Sequence, residues 1–148
     1  MNDLAAASAD VELIAFANMM LGAHALFSGK RESRQFFEKA RSGFGECSGV
    51  HWELDATNFH DQFAAFDCGD FADIARNAPV RIQEALRRGR LYSAAMFTGF
   101  SGIVAWNVPD DVAGCRRGLR EQLRVWEQRG DGGWPEWMGE RQERMLEH

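Results

Sequence analysis

The sequence predicts a mainly α-helical protein of several packed helices, with room for one short strand or β-hairpin; α+β is the alternative. Three observations carry that reading. Apolar residues recur at helical spacing over several long stretches. Helix-start and helix-stop residues bracket those stretches. Strict apolar–polar alternation is clean only from Val50 to Asp55. A chain of 148 residues falls at the commonest size for one domain, and residues 1–145 read as one compact globular domain. Leu146-Glu147-His148 resembles the start of a histidine tag and is set aside. An apolar share of 45% with 26% charged residues supplies enough burial to fold, unlike a disordered chain.

The first predicted helix runs from about Asp10 to Gly29, capped by Ser8 or Asp10, whose side-chain oxygens can accept first-turn amides. From Leu13 to Phe27 it is apolar almost all round, interrupted only by Asn18, Gly22 and His24. A helix with no polar face belongs at the centre of a core. The segment is too short and too interrupted for a membrane span, which needs about 20 apolar residues. A second helix is expected over 30–42, with Phe36, Phe37, Ala40 and Phe44 inward and Arg31, Arg34, Glu38 and Arg41 outward. A glycine-containing run, 43–49, then breaks it.

Val50 to Asp55 follows as the strand candidate, with His51, Glu53 and Asp55 on its polar face. A helix from Thr57 would hold Phe59, Phe63 and Phe66, and a short one would cross Phe71 to Ala75. Pro79 fits the first turn of a helix ending near Gly89. Residues 91–108 divide between a buried helix and a hairpin; length favours the helix, although each interior glycine costs it about 1 kcal/mol. The last clear helix opens at Pro109-Asp110-Asp111, whose charges suit a helix N-terminus. Val112, Cys115, Leu119, Leu123 and Trp126 form its apolar stripe. After the glycines at 130–133, Trp134-Pro135-Glu136-Trp137 leads into a short charged helix.

Charge is the most informative pattern. Residues 30–41 carry five basic and two acidic side chains. Residues 42–75 carry seven acidic side chains and no Lys or Arg, and residues 76–90 return to five arginines against one glutamate. Net charge is −5, which argues against direct nucleic-acid binding, since phosphate affinity comes from clustered cations. Three widely spaced cysteines, Cys47, Cys68 and Cys115, suit free thiols in a reducing cytoplasm better than a secreted disulfide scaffold. The N-terminal Met-Asn-Asp-Leu lacks the positive charge of an export signal, so the expectation is a cytoplasmic monomer or homodimer without a membrane span.

No phosphate-loop, dinucleotide, zinc-protease, paired-cysteine or nucleophile-elbow motif occurs, which weighs against the common enzyme classes. His51 and His60 lie among carboxylates, but their spacing matches no metal site, so neither metal nor cofactor is expected. His24, inside the most apolar segment, reads as a satisfied core histidine. Carboxylates beside Cys47 and Cys68 disfavour thiolate, so neither is a good nucleophile.

The leading functional expectation is therefore binding rather than catalysis. Glu53, Asp55, Asp61, Asp67, Asp70 and Asp73 would form an acidic surface that steers association with a basic protein, such as a nucleic-acid-handling one. Inhibitors, antitoxins and immunity proteins share this economy, by analogy alone. The alternative is a small enzyme or ligand-binding domain, with an apolar pocket and His24, His51 or His60 as acid or base.

Overall fold

A computed structural model describes residues 11–128, and these are helical almost throughout. The elements are α1 (Val11–Phe27), α2 (Ser33–Gly45), α3 (His51–Asp67), α4 (Phe71–Arg87), α5 and α6 (Val112–Gln128). Helix α5 runs as an α-helix over Leu91–Phe97, a π-helical turn over Thr98–Gly102 and an α-helix again over Ile103–Asn107. The fold is mainly α, with no strand among the described residues. Ser8 and Asp10 as caps, and everything expected beyond Gln128, lie outside the described residues.

Helices α1–α3 form one compact unit and α4–α6 another, the division falling between Asp70 and Phe71. That point lies inside the acidic stretch, where no linker composition marks it.

In the first unit, α1 and α2 pack closely and antiparallel. A Cβ added at Gly22 would lie 2.7 Å from the Phe37 ring, and one at Gly43 would lie 2.8 Å from the Ala15 Cβ. Helix α3 returns along α2. One end of the core holds Ala15, Ala40, Phe44 and Val50, and the other holds Leu26, Phe37 and Ala64.

Helix α1 corrects an expectation. It buries its small residues (Ala15, Ala17, Gly22, Ala25) with Leu26, while most of its large apolar side chains remain exposed. Helices α2 and α3 pack against the side of α1 that carries Ala15, Gly22 and Leu26, so α1 flanks the core instead of running through it.

The expected strand is corrected too. Residues 51–55 form the first turns of α3, with Leu54 N–H donating to the Val50 carbonyl at 3.1 Å. Six alternating residues are too few to exclude a helix, and Leu54, Thr57, Asp61 and Ala64 place one α3 face against α1 and α2 at helical spacing.

In the second unit, Ile74, Ala78, Ile82 and Ala85 make one buried stripe along α4. Pro79 lies inside this helix, not in its first turn. A mid-helix proline costs about 3 kcal/mol. The stripe crosses it without a break, so burial of one continuous face overrides the local penalty. Residues 91–107 take the helical alternative and not the hairpin. One of their glycines has a packing use: Trp106 lies against Gly102, and against Gly118 of α6, where an added Cβ would approach its ring to 2.9 and 2.4 Å.

Four helices end in one hydrogen-bond pattern. After α1, Gly29 N–H donates to Leu26 O and Lys30 N–H to Ala25 O, each at 2.9 Å. The same pair of bonds recurs at Gly69/Asp70, Gly89/Arg90 and Asp110/Asp111. The central residue must adopt positive φ, which glycine does readily; Asp110 does so at 59°.

Candidate functional site

The six carboxylates expected to form one acidic face are distributed differently. Asp61 is only 5% exposed and is held from both sides. Its Oδ1 accepts from Arg34 Nε at 3.1 Å, and its Oδ2 from Arg41 Nη2 at 2.6 Å. Arg34 Nη1 also donates to Asp70 Oδ2 at 3.0 Å, and Arg41 Nε to Asn58 Oδ1 at 2.9 Å. Arg41 pairs with Glu38 on its own helix as well. The basic stretch of α2 thus neutralises part of the acidic stretch of α3, and Arg34 and Arg41 turn towards α3 instead of outward.

Of the remaining four, Asp55 is buried and Glu53 half-buried in the first turns of α3, near its positive dipole end. Asp67 is exposed in the last turn. Asp73 belongs to the second unit, where it pairs with Arg76 at 3.6 Å and its Oδ1 accepts from Asn77 Nδ2 at 2.9 Å. The structure therefore joins Asp61 and Asp70 around Arg34. It does not array Glu53, Asp55 and Asp61 on one exposed face.

The histidines also part company. His24 is exposed, which corrects its expected place in the core, because α1 buries its opposite face. His51 is exposed at the start of α3. His60 is half-buried, stacked on Phe37 at 6.1 Å between centroids and edge-on to Phe27 and Phe59, each at 6.2 Å. Its Nδ1 lies 2.8 Å from the Ala56 carbonyl. A carbonyl only accepts, so Nδ1 donates there. Among the described residues, no group of three or more His, Cys, Asp or Glu side chains is placed to hold a metal ion. Cys115 is fully buried, and desolvation, followed by the nearby Asp111 carboxylate, raises its thiol pKa.

The feature that sequence reasoning missed is on α1. Phe16 is 44% exposed, Met20 48% and Phe27 80%, with Leu13 and Leu21 also exposed. Residues 13, 16, 20, 24 and 27 follow helical spacing, so they share one face. Between Glu12 and Phe27 there is no Asp, Glu, Lys or Arg. The available signal was the alignment of Ala15 and Gly22 on the side of α1 away from Leu13, Met20 and Phe27, overlooked because the segment is apolar on every side.

No family model, curated protein or solved structure matches the chain. Its class rests on its own geometry: a helical protein in two units, the first presenting an exposed apolar helix face.

Proposed function

We propose that this chain is a protein-interaction module that docks another polypeptide through α1. The observation that supports it is the exposed stripe of Phe16, Met20 and Phe27. Each large side chain left in water forgoes roughly 25 cal/mol per Å² of apolar surface. Contiguous exposed apolar patches above a few hundred Å² are unusual on monomeric proteins and mark interaction surfaces. A helix with apolar anchors at i, i+4 and i+11 suits pairing with a partner helix or groove. No helix of the described residues is long and apolar enough to cross a membrane.

A photo-crosslinking residue placed at Phe27, in cells that make the protein, tests this reading. The same residue at Gln35, exposed on α2, is the control. We expect a discrete protein–protein adduct from Phe27 and none from Gln35. Equal adducts from both sites, or none from Phe27, would overturn the assignment of α1 as the docking face.

A further inference from the structure

We infer that the polypeptide docking on α1 is a second copy of this chain, with the two α1 helices antiparallel and a two-fold axis passing at Met20. The inference rests on the α1 docking reading and names its occupant.

Three features point to a second copy. The stripe is symmetric about Met20: Phe16 and His24 each lie four residues away, and Leu13 and Phe27 seven. A two-fold axis at Met20 therefore sets Phe16 opposite the partner's His24 and Leu13 opposite the partner's Phe27, ring or branched chain against ring. Isologous contacts need this kind of self-complementary patch.

The stripe carries no Asp, Glu, Lys or Arg, so the same surface on two copies meets without repulsion between such charges.

The charges lie at its ends, and with opposite sign. Glu12 is exposed at the N-terminal end of α1, and Lys30 and Arg31, followed by Glu32, are exposed just past its C-terminal end, a net positive cluster. Among the described residues, none of Glu12, Lys30 and Arg31 is engaged in an ion pair within the chain. A helix of 17 residues is about 25 Å long at about 1.5 Å per residue, so Glu12 cannot reach the basic pair of its own chain. Antiparallel pairing brings Glu12 of each copy beside the basic pair of the other, and it opposes the two helix dipoles. Parallel pairing would set Glu12 against Glu12. A basic partner protein would find no carboxylate along the stripe.

Sedimentation of the purified full chain over a concentration series tests the proposal. We expect a monomer–dimer equilibrium. Met20→Glu sets two carboxylates face to face at the axis and should weaken the dimer at least tenfold, with circular dichroism unchanged because Met20 is half-exposed. Glu12→Arg, and Lys30→Glu with Arg31→Glu, should each weaken it several-fold, and the three together should restore it. A chain that stays monomeric throughout, or a dimer indifferent to Met20→Glu, overturns the second copy as occupant. A dimer lost on Met20→Glu but not restored by the combined charge reversal overturns the antiparallel arrangement. If the chain is monomeric while Phe27 still crosslinks to a polypeptide of another mass, the docking reading stands and only its occupant changes. Loss of both signals sinks the two together.

Discussion

Helices α1 and α4 are each 17 residues long and both leave large apolar side chains exposed, Phe71 and Val80 on α4, yet they differ in what they bury. Helix α4 carries arginines, a glutamate and a proline, but Ile74, Ala78, Ile82 and Ala85 fall on one stripe and are all buried. Helix α1 is far more apolar, yet Phe16, Met20 and Phe27 are left in water. Apolar content measures how much a helix could bury; its neighbours decide which part it does. Helix α2 meets the small residues of α1, where Gly22 admits the Phe37 ring, and that close approach leaves the large residues on the other side.

The sharpest way to break this comparison is to truncate one side chain of each kind. Ile74 is 1% exposed, and Ile74→Ala removes three carbons from a packed site, at an expected cost of about 2–4 kcal/mol. Met20→Ala, measured by urea unfolding at a concentration that keeps the chain monomeric, should stay within about 0.5 kcal/mol of the parent. A Met20→Ala cost near that of Ile74→Ala would mean that α1 is packed on both faces, and the docking surface would disappear.

The next effect separates structural carboxylates from surface ones. Asp61→Ala leaves Arg34 and Arg41 without their shared acceptor. With their side chains 31% and 29% exposed, water recovers part of the loss, so about 2–3 kcal/mol is expected, at the low end for a broken buried pair. Asp67→Ala, at an exposed position, should change stability by less than about 0.5 kcal/mol. Equal costs in thermal or urea unfolding would return Asp61 to the acidic surface that the sequence suggested.

These comparisons show how much was legible before the fold was seen. The mainly helical class followed from periodicity, and so did the inward positions Phe37, Ala40, Phe44, Cys115 and Leu119, all buried. Helix ends near Gly29 and Gly89 were legible from glycine alone. Val50 to Asp55 misled because alternation over six residues satisfies a strand as well as it satisfies two helical turns. The unbroken α4 was hidden by Pro79, a local signal that a continuous buried stripe outweighs. The acidic stretch misled for a longer-range reason. Its apparent lack of counter-charge holds along the chain and fails in space, where α2 lies against α3 and Arg34 reaches Asp61, 27 residues away.

The smallest effect concerns the helix ends, where α4 and α5 differ by one residue. Both close with the same pair of backbone bonds, but α4 places Gly89 at positive φ and α5 places Asp110 there. A non-glycine residue in that conformation carries a strain of about 1 kcal/mol, which Asp110→Gly relieves. Two effects oppose the gain. Glycine loosens the unfolded chain, which costs about 0.5 kcal/mol. Asp110 also sits just before α6, where Asp111 caps the first turn by accepting from Gly114 N–H at 2.7 Å; a second carboxylate beside that positive dipole end contributes a further 0.3 kcal/mol or so. The net gain expected at low salt is thus only about 0.2 kcal/mol. Salt separates the contributions, since strain and chain entropy are indifferent to it while the dipole interaction is screened. At 1 M salt, where the Debye length falls to about 3 Å, the advantage of Asp110→Gly should rise to about 0.5 kcal/mol. Gly89→Asp, at the matching position of α4, should be destabilising at both salt concentrations, because it adds the strain that Asp110→Gly removes. Thermal unfolding of the two variants at low and high salt reads all four values. If Asp110→Gly is destabilising at 1 M salt, Asp110 is held by more than the backbone geometry it shares with Gly89, and the equivalence of the two helix ends fails.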